Sequence, residues 1–228
     1  LTRAAPTAPA GADQALWTGL SNPCGRQSDQ WGAGAGSAVV GALHLPGYSC
    51  STDDRGIQSG PGALTYTTAP LAEDTVLGGP ADVTVYATST RPEVELEATL
   101  EDVAPSGVST PLTSGALLGS FRALDTARSW FAPDGRPLMP YHSYTRASLQ
   151  PVPVGAVTRY DIEVFPTFAR LAAGHRLRLT LTTSDTPHLL PTPLQLTGLA
   201  GGLYGVQRSS VAASFLEVPL APASRMGG

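Results

Sequence analysis

Hydrophobic and polar positions alternate most clearly between residues 158 and 187. Tyr160, Ile162 and Val164 alternate with Asp161 and Glu163. After a break closed by Gly174, Leu177, Leu179 and Leu181 alternate with Arg176, Arg178, Thr180 and Thr182. A period of two marks a strand with one face buried and the other toward water. Two such runs, joined by a short link bearing Pro166 and Gly174, predict neighbouring strands of an antiparallel sheet. The same period recurs upstream. Residues 62–70 form a first strand, and 82–90 present Val83, Val85 and Ala87 on one face. Residues 94–103 present Val94, Leu96, Ala98 and Leu100, and 109–118 form a further strand. Residues 214–220 read as a closing strand at a sheet edge, because Pro219 lacks the amide a central ladder needs. The Pro-rich run 188–193 is excluded from a central strand, and 194–205 is short, apolar and Gly-containing.

Between these runs the pattern lapses. Residues 119–145 are irregular around a Pro133-Asp134-Gly135-Arg136 turn signature and carry Trp130, Phe131, Tyr141, His142 and Tyr144. A loop of this length is commonly functional. Its aromatics either line a ligand surface or pack the loop onto a neighbouring domain, and packing is the better reading. Residues 1–11 read as an Ala/Pro/Thr linker. Residues 12–60 read as an ordered but irregular segment packed by Trp17 and Trp31. The expected division is an N-terminal extension over 1–60, a β-sandwich over 61–220 and a tail over 221–228.

Composition sharpens this picture. The chain of 228 residues holds 25 Gly and 21 Pro without a repeat period, which points to many turns and an all-β sandwich or barrel. No apolar run approaches the roughly 18 residues that cross a bilayer, so no membrane partner is expected. Net charge is −4 and every basic residue is Arg, so no basic stripe for nucleic acid is present. The start at Leu1, without Met or a signal segment, suggests a fragment or processed form. Cys24 and Cys50 lack CxxC or His neighbours, and in an exported protein they are expected to pair. Closing that loop stabilises by about 3.5 kcal/mol in the chain-entropy model.

Candidate chemistry is sparse. Glu93, Glu95, Glu97 and Glu101 share one side of a strand, and the expected reading is a solvated outer face rather than a calcium or acid/base site. No serine lies in a GxSxG frame. His44, His142, His175 and His188 show no HExxH or HxH spacing, so no metal site is expected. Gly32 to Ser37 lack the preceding strand and following GK[ST] of a phosphate loop. Asp185 and His188 are close in sequence at the end of the last long strand, where a solvated loop is the default reading.

Five motifs carry a family resemblance: LTYTTAPL (64–71), GPADVTVYATS (79–89), ELEATLEDVAPSG (95–107), YDIEVFPT (160–167) and AGHRLRLTLTTSDTP (173–187). Jointly and in this order they resemble the C-terminal domain of X-Pro dipeptidyl-peptidases and cocaine-esterase-like (CocE/NonD) acyl hydrolases. The resemblance implies a galactose-binding-like jelly roll of two facing antiparallel sheets. It implies no cofactor and no catalytic residue on this chain, since the family's Ser-His-Asp set lies on a preceding α/β-hydrolase domain. That domain is the implied partner, and the chain by itself is expected to be inactive. A secreted serine hydrolase is the implied parent. Trp130, Phe131, Tyr141, His142, Tyr144, Asp185 and His188 are the candidate interdomain or ligand-facing residues. A carbohydrate-binding module is the alternative function, and a homo-oligomeric assembly module is a third.

Overall fold

The computed structural model describes residues 11–19, 42, 52–186 and 188–226. The expected Cys24–Cys50 disulfide, Trp31, His44 and the glycine run 32–36 lie outside these residues. The strands are β1 (Ala12–Leu16), β2 (Ala63–Thr67), β3 (Thr75–Ser89), β4 (Glu95–Val103), β5 (Ser109–Leu118), β6 (Trp130–Phe131), β7 (Pro137–Met139), β8 (Thr158–Leu171), β9 (Arg176–Thr182), β10 (Leu203–Gln207), β11 (Phe215–Glu217) and β12 (Leu220–Pro222). A short helix, α1 (Pro193–Leu199), precedes β10. The chain is all-β with antiparallel sheets.

The first sheet is built around β3. Along one edge β3 pairs with β8, from Thr75↔Leu171 to Ala87↔Thr158. Its other edge is shared in succession by β12, β11 and β10, and β1 extends the sheet beyond β10. The second sheet has the order β2-β9-β4-β5. The inward residues form one core: Val83, Val85 and Ala87 on β3, Leu96, Ala98 and Leu100 on β4, Tyr160, Ile162 and Val164 on β8, and Leu177, Leu179 and Leu181 on β9. These are the apolar positions of the alternation, so the inner face of each strand follows the period-two pattern. The sheets meet closely where β5 crosses β8. A methyl group on Gly115 would overlap the carbonyl of Glu163, so only glycine fits.

The two runs at 158–187 are not sheet neighbours. β8 belongs to the first sheet and β9 to the second, where β2 and β4 occupy both of its edges. The link at Ala172 to Gly174 carries the chain from sheet to sheet. It uses the left-handed conformation of Gly174 (φ +82°) and bonds from His175 N to Ala172 O (3.1 Å) and Gly174 N to Leu71 O (2.8 Å). Nor does the first run stop at Val164. It continues to Leu171, because Gly79 faces Thr167 and Ala81 faces Val164, leaving Phe165 and Pro166 opposite Pro80. Proline cannot donate to the ladder, and the bulge absorbs both prolines at one step.

Three further differences follow from tertiary contacts. The closing run 214–220 is divided into β11 and β12 by Val218 and Pro219. The apolar 194–205 run divides into α1, capped by Thr192 and Gln195, and β10. Ala12–Leu16, which has no periodic signal, is a strand because β10 offers it a free edge. His175 takes a structural role, with Nδ1 2.8 Å from Asp102 Oδ1.

Candidate functional site

Within the excursion between β5 and β8, β7 packs on β3 and β8, while Val152 joins the core and Phe121 packs against it. The β6–β7 hairpin turns at Pro133-Asp134-Gly135-Arg136, with Ala132 N bonded to Arg136 O (2.8 Å). Several contacts fix its base and its turn. Ser129 Oγ donates to Asp125 O (2.8 Å) and accepts from Tyr141 N (2.9 Å). The Arg128 guanidinium sits 5.3 Å from the Tyr141 ring centre and donates to its hydroxyl. Arg136 pairs with the buried Glu217 of β11 and with Asp134. Against this fixed base, Trp130 is 60% exposed and Phe131 40%. Tyr144 is 52% exposed, holds φ +49°, and packs on Phe121 and the His142 ring.

His142 does not face a ligand surface. It is 1% exposed, and its ring bridges Ala123 O and Asp161 O. Asp185 and His188 form a separate group at the second sheet. Asp185 is 1% exposed rather than solvated, and its Oδ2 lies 2.6 Å from His188 Nδ1. Burial pushes the Asp185 carboxyl up to about 6, against the pull of His188. Its amide donates to Glu95 Oε1 (3.2 Å), and Trp17 Nε1 donates to Glu95 Oε2 (3.0 Å).

The carboxylates of β4 correct the expectation of a wet face. Glu93, Glu95, Glu97 and Glu101 are all buried. The alternation does place Glu95, Glu97 and Glu101 opposite the core residues, but β4 is an interior strand, and Trp17, Asp54 and Gln58 lie over that face. Hydroxyl groups serve the acids there. Thr99 and Thr182 donate to Glu97, and Thr180 donates to Glu101 (3.0 Å). Burial pushes Glu95 up to about 7 and Glu101 up to about 8.

A second buried acid chain lies on the outer face of the first sheet, in the layer the hairpin covers. Thr84 Oγ1 is 3.0 Å from Asp82 Oδ2 and 2.8 Å from Asp161 Oδ1. One hydroxyl proton cannot serve both oxygens. The chain is complete when Asp82 is protonated and donates to Thr84, and Thr84 donates to the Asp161 carboxylate, which Arg159 also holds (2.7 Å). Burial, and then repulsion from Asp161, push Asp82 up to about 8. The only sequence trace of this layer is acid and threonine at alternate positions of the two longest strands. Among the described residues, no group of three or more His, Cys, Asp or Glu side chains is placed to hold a metal ion.

Comparison with known proteins matches this architecture. The family model described as the X-Pro dipeptidyl-peptidase C-terminal non-catalytic domain matches residues 4–197. A protein of Mycobacterium bovis named as a serine esterase is 29% identical over 189 residues, which are 83% of this chain and 28% of that protein. A Mycobacterium tuberculosis protein of the same description matches equally. The chain thus spans 28% of the length of these relatives. Among solved structures, an aminopeptidase from a marine sediment Thaumarchaeota archaeon superposes with a TM-score of 0.67 at 15% identity, covering 96% of this chain and 34% of that one. An alpha-amino acid ester hydrolase gives 0.67 at 16% identity over 94% and 33%. A CocE/NonD family hydrolase from Staphylococcus aureus gives 0.57 at 17% identity over 70% and 30%. With the family model covering most of its length, the chain belongs to the X-Pro dipeptidyl-peptidase C-terminal non-catalytic domain family.

Proposed function

We propose that this chain is the accessory domain of a serine hydrolase acting as a dipeptidyl-peptidase or acyl esterase. It packs on an α/β-hydrolase domain of the same parent protein and helps enclose that domain's substrate. In this reading its two sheets form a jelly roll of the galactose-binding type, and the chain is inactive alone. The observation that carries the proposal is the β6–β7 hairpin. Its turn is fixed by the Arg136–Glu217 ion pair and its base by the Ser129, Tyr141 and His142 bonds, while Trp130 and Phe131 are held out toward solvent. Large aromatics on a rigid support are what a docking or enclosing surface needs. The matched relatives are about three times as long as this chain, which leaves room for such a partner. In this reading the parent is secreted, and Cys24 and Cys50 pair in that oxidising environment. Intact mass before and after alkylation of the unfolded chain tests that pairing.

The test of function compares this chain with the longest product of its gene on Xaa-Pro-nitroanilides and short esters. Hydrolysis by the longer form alone is expected. Hydrolysis by this chain, abolished by a serine-directed inhibitor, overturns the proposal. The exposed Trp130 also favours a second reading, a carbohydrate-binding module. Binding on a glycan array that is lost in Trp130→Ala would establish it.

A further inference from the structure

The ring of His142 is enclosed between two acceptors. Its Nε2 lies 2.7 Å from the carbonyl oxygen of Asp161 on β8, and its Nδ1 lies 3.2 Å from the carbonyl oxygen of Ala123 at the start of the excursion. Carbonyl oxygens only accept, and a neutral imidazole carries one N–H. Both bonds therefore exist together only in the imidazolium. In the neutral ring, one nitrogen lone pair faces a carbonyl lone pair inside the protein.

We propose that His142 is a proton-dependent clamp that fastens the base of the excursion to the free edge of β8. That edge is closed by three successive groups. The His142 ring covers Asp161 O, Gly115 packs on Glu163 O, and the Thr113 hydroxyl donates to Phe165 O (2.7 Å). The first of the three can gain or lose a proton. On deprotonation the shorter bond is kept, so Nε2–H continues to serve Asp161 and the contact with Ala123 is lost. What loosens is the strip beside Ala123. There Leu124 bridges to His142, and Asp125 N donates to Tyr141 O (2.9 Å). That strip also holds Ser129, and so sets the aim of Trp130 and Phe131.

Charged and titratable groups face the ring from each element packed around it. From β8, Glu163 interacts with His142 through its charge, and Asp161 lies in the same strand with its carboxylate held by Arg159 and Thr84. From β3, Asp82 ends the chain through Thr84. From the excursion itself, Tyr144 meets the ring edge-on at 5.8 Å, and Tyr141, Arg128 and Asp125 form the adjoining contacts.

Two measurements on the intact protein test the clamp, and neither uses enzymatic activity. Long-range proton–nitrogen spectra of histidine-labelled protein, assigned with His142→Gln, should show two ring N–H groups at about pH 5 and Nε2–H alone at about pH 9. Hydrogen exchange of the Asp125 amide, corrected for the intrinsic pH dependence, should rise about tenfold over the same range, as expected for loss of one ordinary hydrogen bond. His142→Gln should hold one value throughout. A single ring N–H at the acid end in folded protein, retention of Nδ1–H at the alkaline end, or an unchanged exchange step in the variant would each overturn the proposal. If the variant does not fold, the wild-type ring spectra decide it. A failed hydrolase reading leaves these outcomes intact.

Discussion

Asp82→Asn isolates the buried acid chain on the first sheet. In the fold the Asp82 carboxyl is pushed up to about 8 by burial and by Asp161. In the unfolded chain it ionises near its ordinary value of 3.8. Between those limits the folded state holds a proton that the unfolded state has released. Stability is therefore fully present below about pH 4 and falls as pH rises toward 8, by about 1.4 kcal/mol per pH unit for one proton. The window is about four units wide, so the contribution is on the order of 5 kcal/mol, a large part of a domain's total stability. Asparagine keeps the shape, and its amide donates to Thr84 at every pH, as the protonated acid does. Urea unfolding of both proteins at about pH 5, 6, 7 and 8 is the assay. The gap between Asp82→Asn and wild type should widen steadily in favour of the variant. Parallel stability curves would refute the chain Asp82–Thr84–Asp161, as would a variant equally destabilised at every pH.

The remaining predictions concern the two sheets and the hairpin. Glu101→Gln should flatten the same pH dependence, since burial holds Glu101 up to about 8 and glutamine can still accept from Thr180. Combining it with Asp82→Asn should add, because the two sites lie on different sheets. Gly115→Ala should cost about 3 kcal/mol or more in urea unfolding, because the new methyl group must displace β8 at Glu163. A loss under about 0.5 kcal/mol would show that the sheets are not in contact there. Trp17→Phe removes the donor to Glu95 and should cost about 1–3 kcal/mol at neutral pH. In the full-length gene product, Trp130→Ala with Phe131→Ala should raise KM or release the domain to limited proteolysis. No change in either would separate the hairpin from docking and enclosure.

The sequence by itself determined the all-β class and the inner face of each long strand. Tyr160, Ile162 and Val164, and Leu177, Leu179 and Leu181, are core residues as their spacing requires, because side chains in a strand must alternate between faces. The five motifs also carried the family. Periodicity says which residues share a face, but not what lies against the other face. Glu95, Glu97 and Glu101 fit a wet face by pattern and are buried, because a segment distant in sequence lies over β4. Asp185 and His142 are polar residues in irregular segments, and only their tertiary partners take them out of water. Strand pairing was likewise decided in three dimensions. β8 and β9 read as neighbours because they are consecutive, yet β3 offers β8 a ladder along its whole length, while β9 lies between β2 and β4. Local alternation is a property of one strand's backbone. Which edges and faces meet depends on the area and hydrogen bonds that distant segments can supply, and those quantities exist only once the chain has closed on itself.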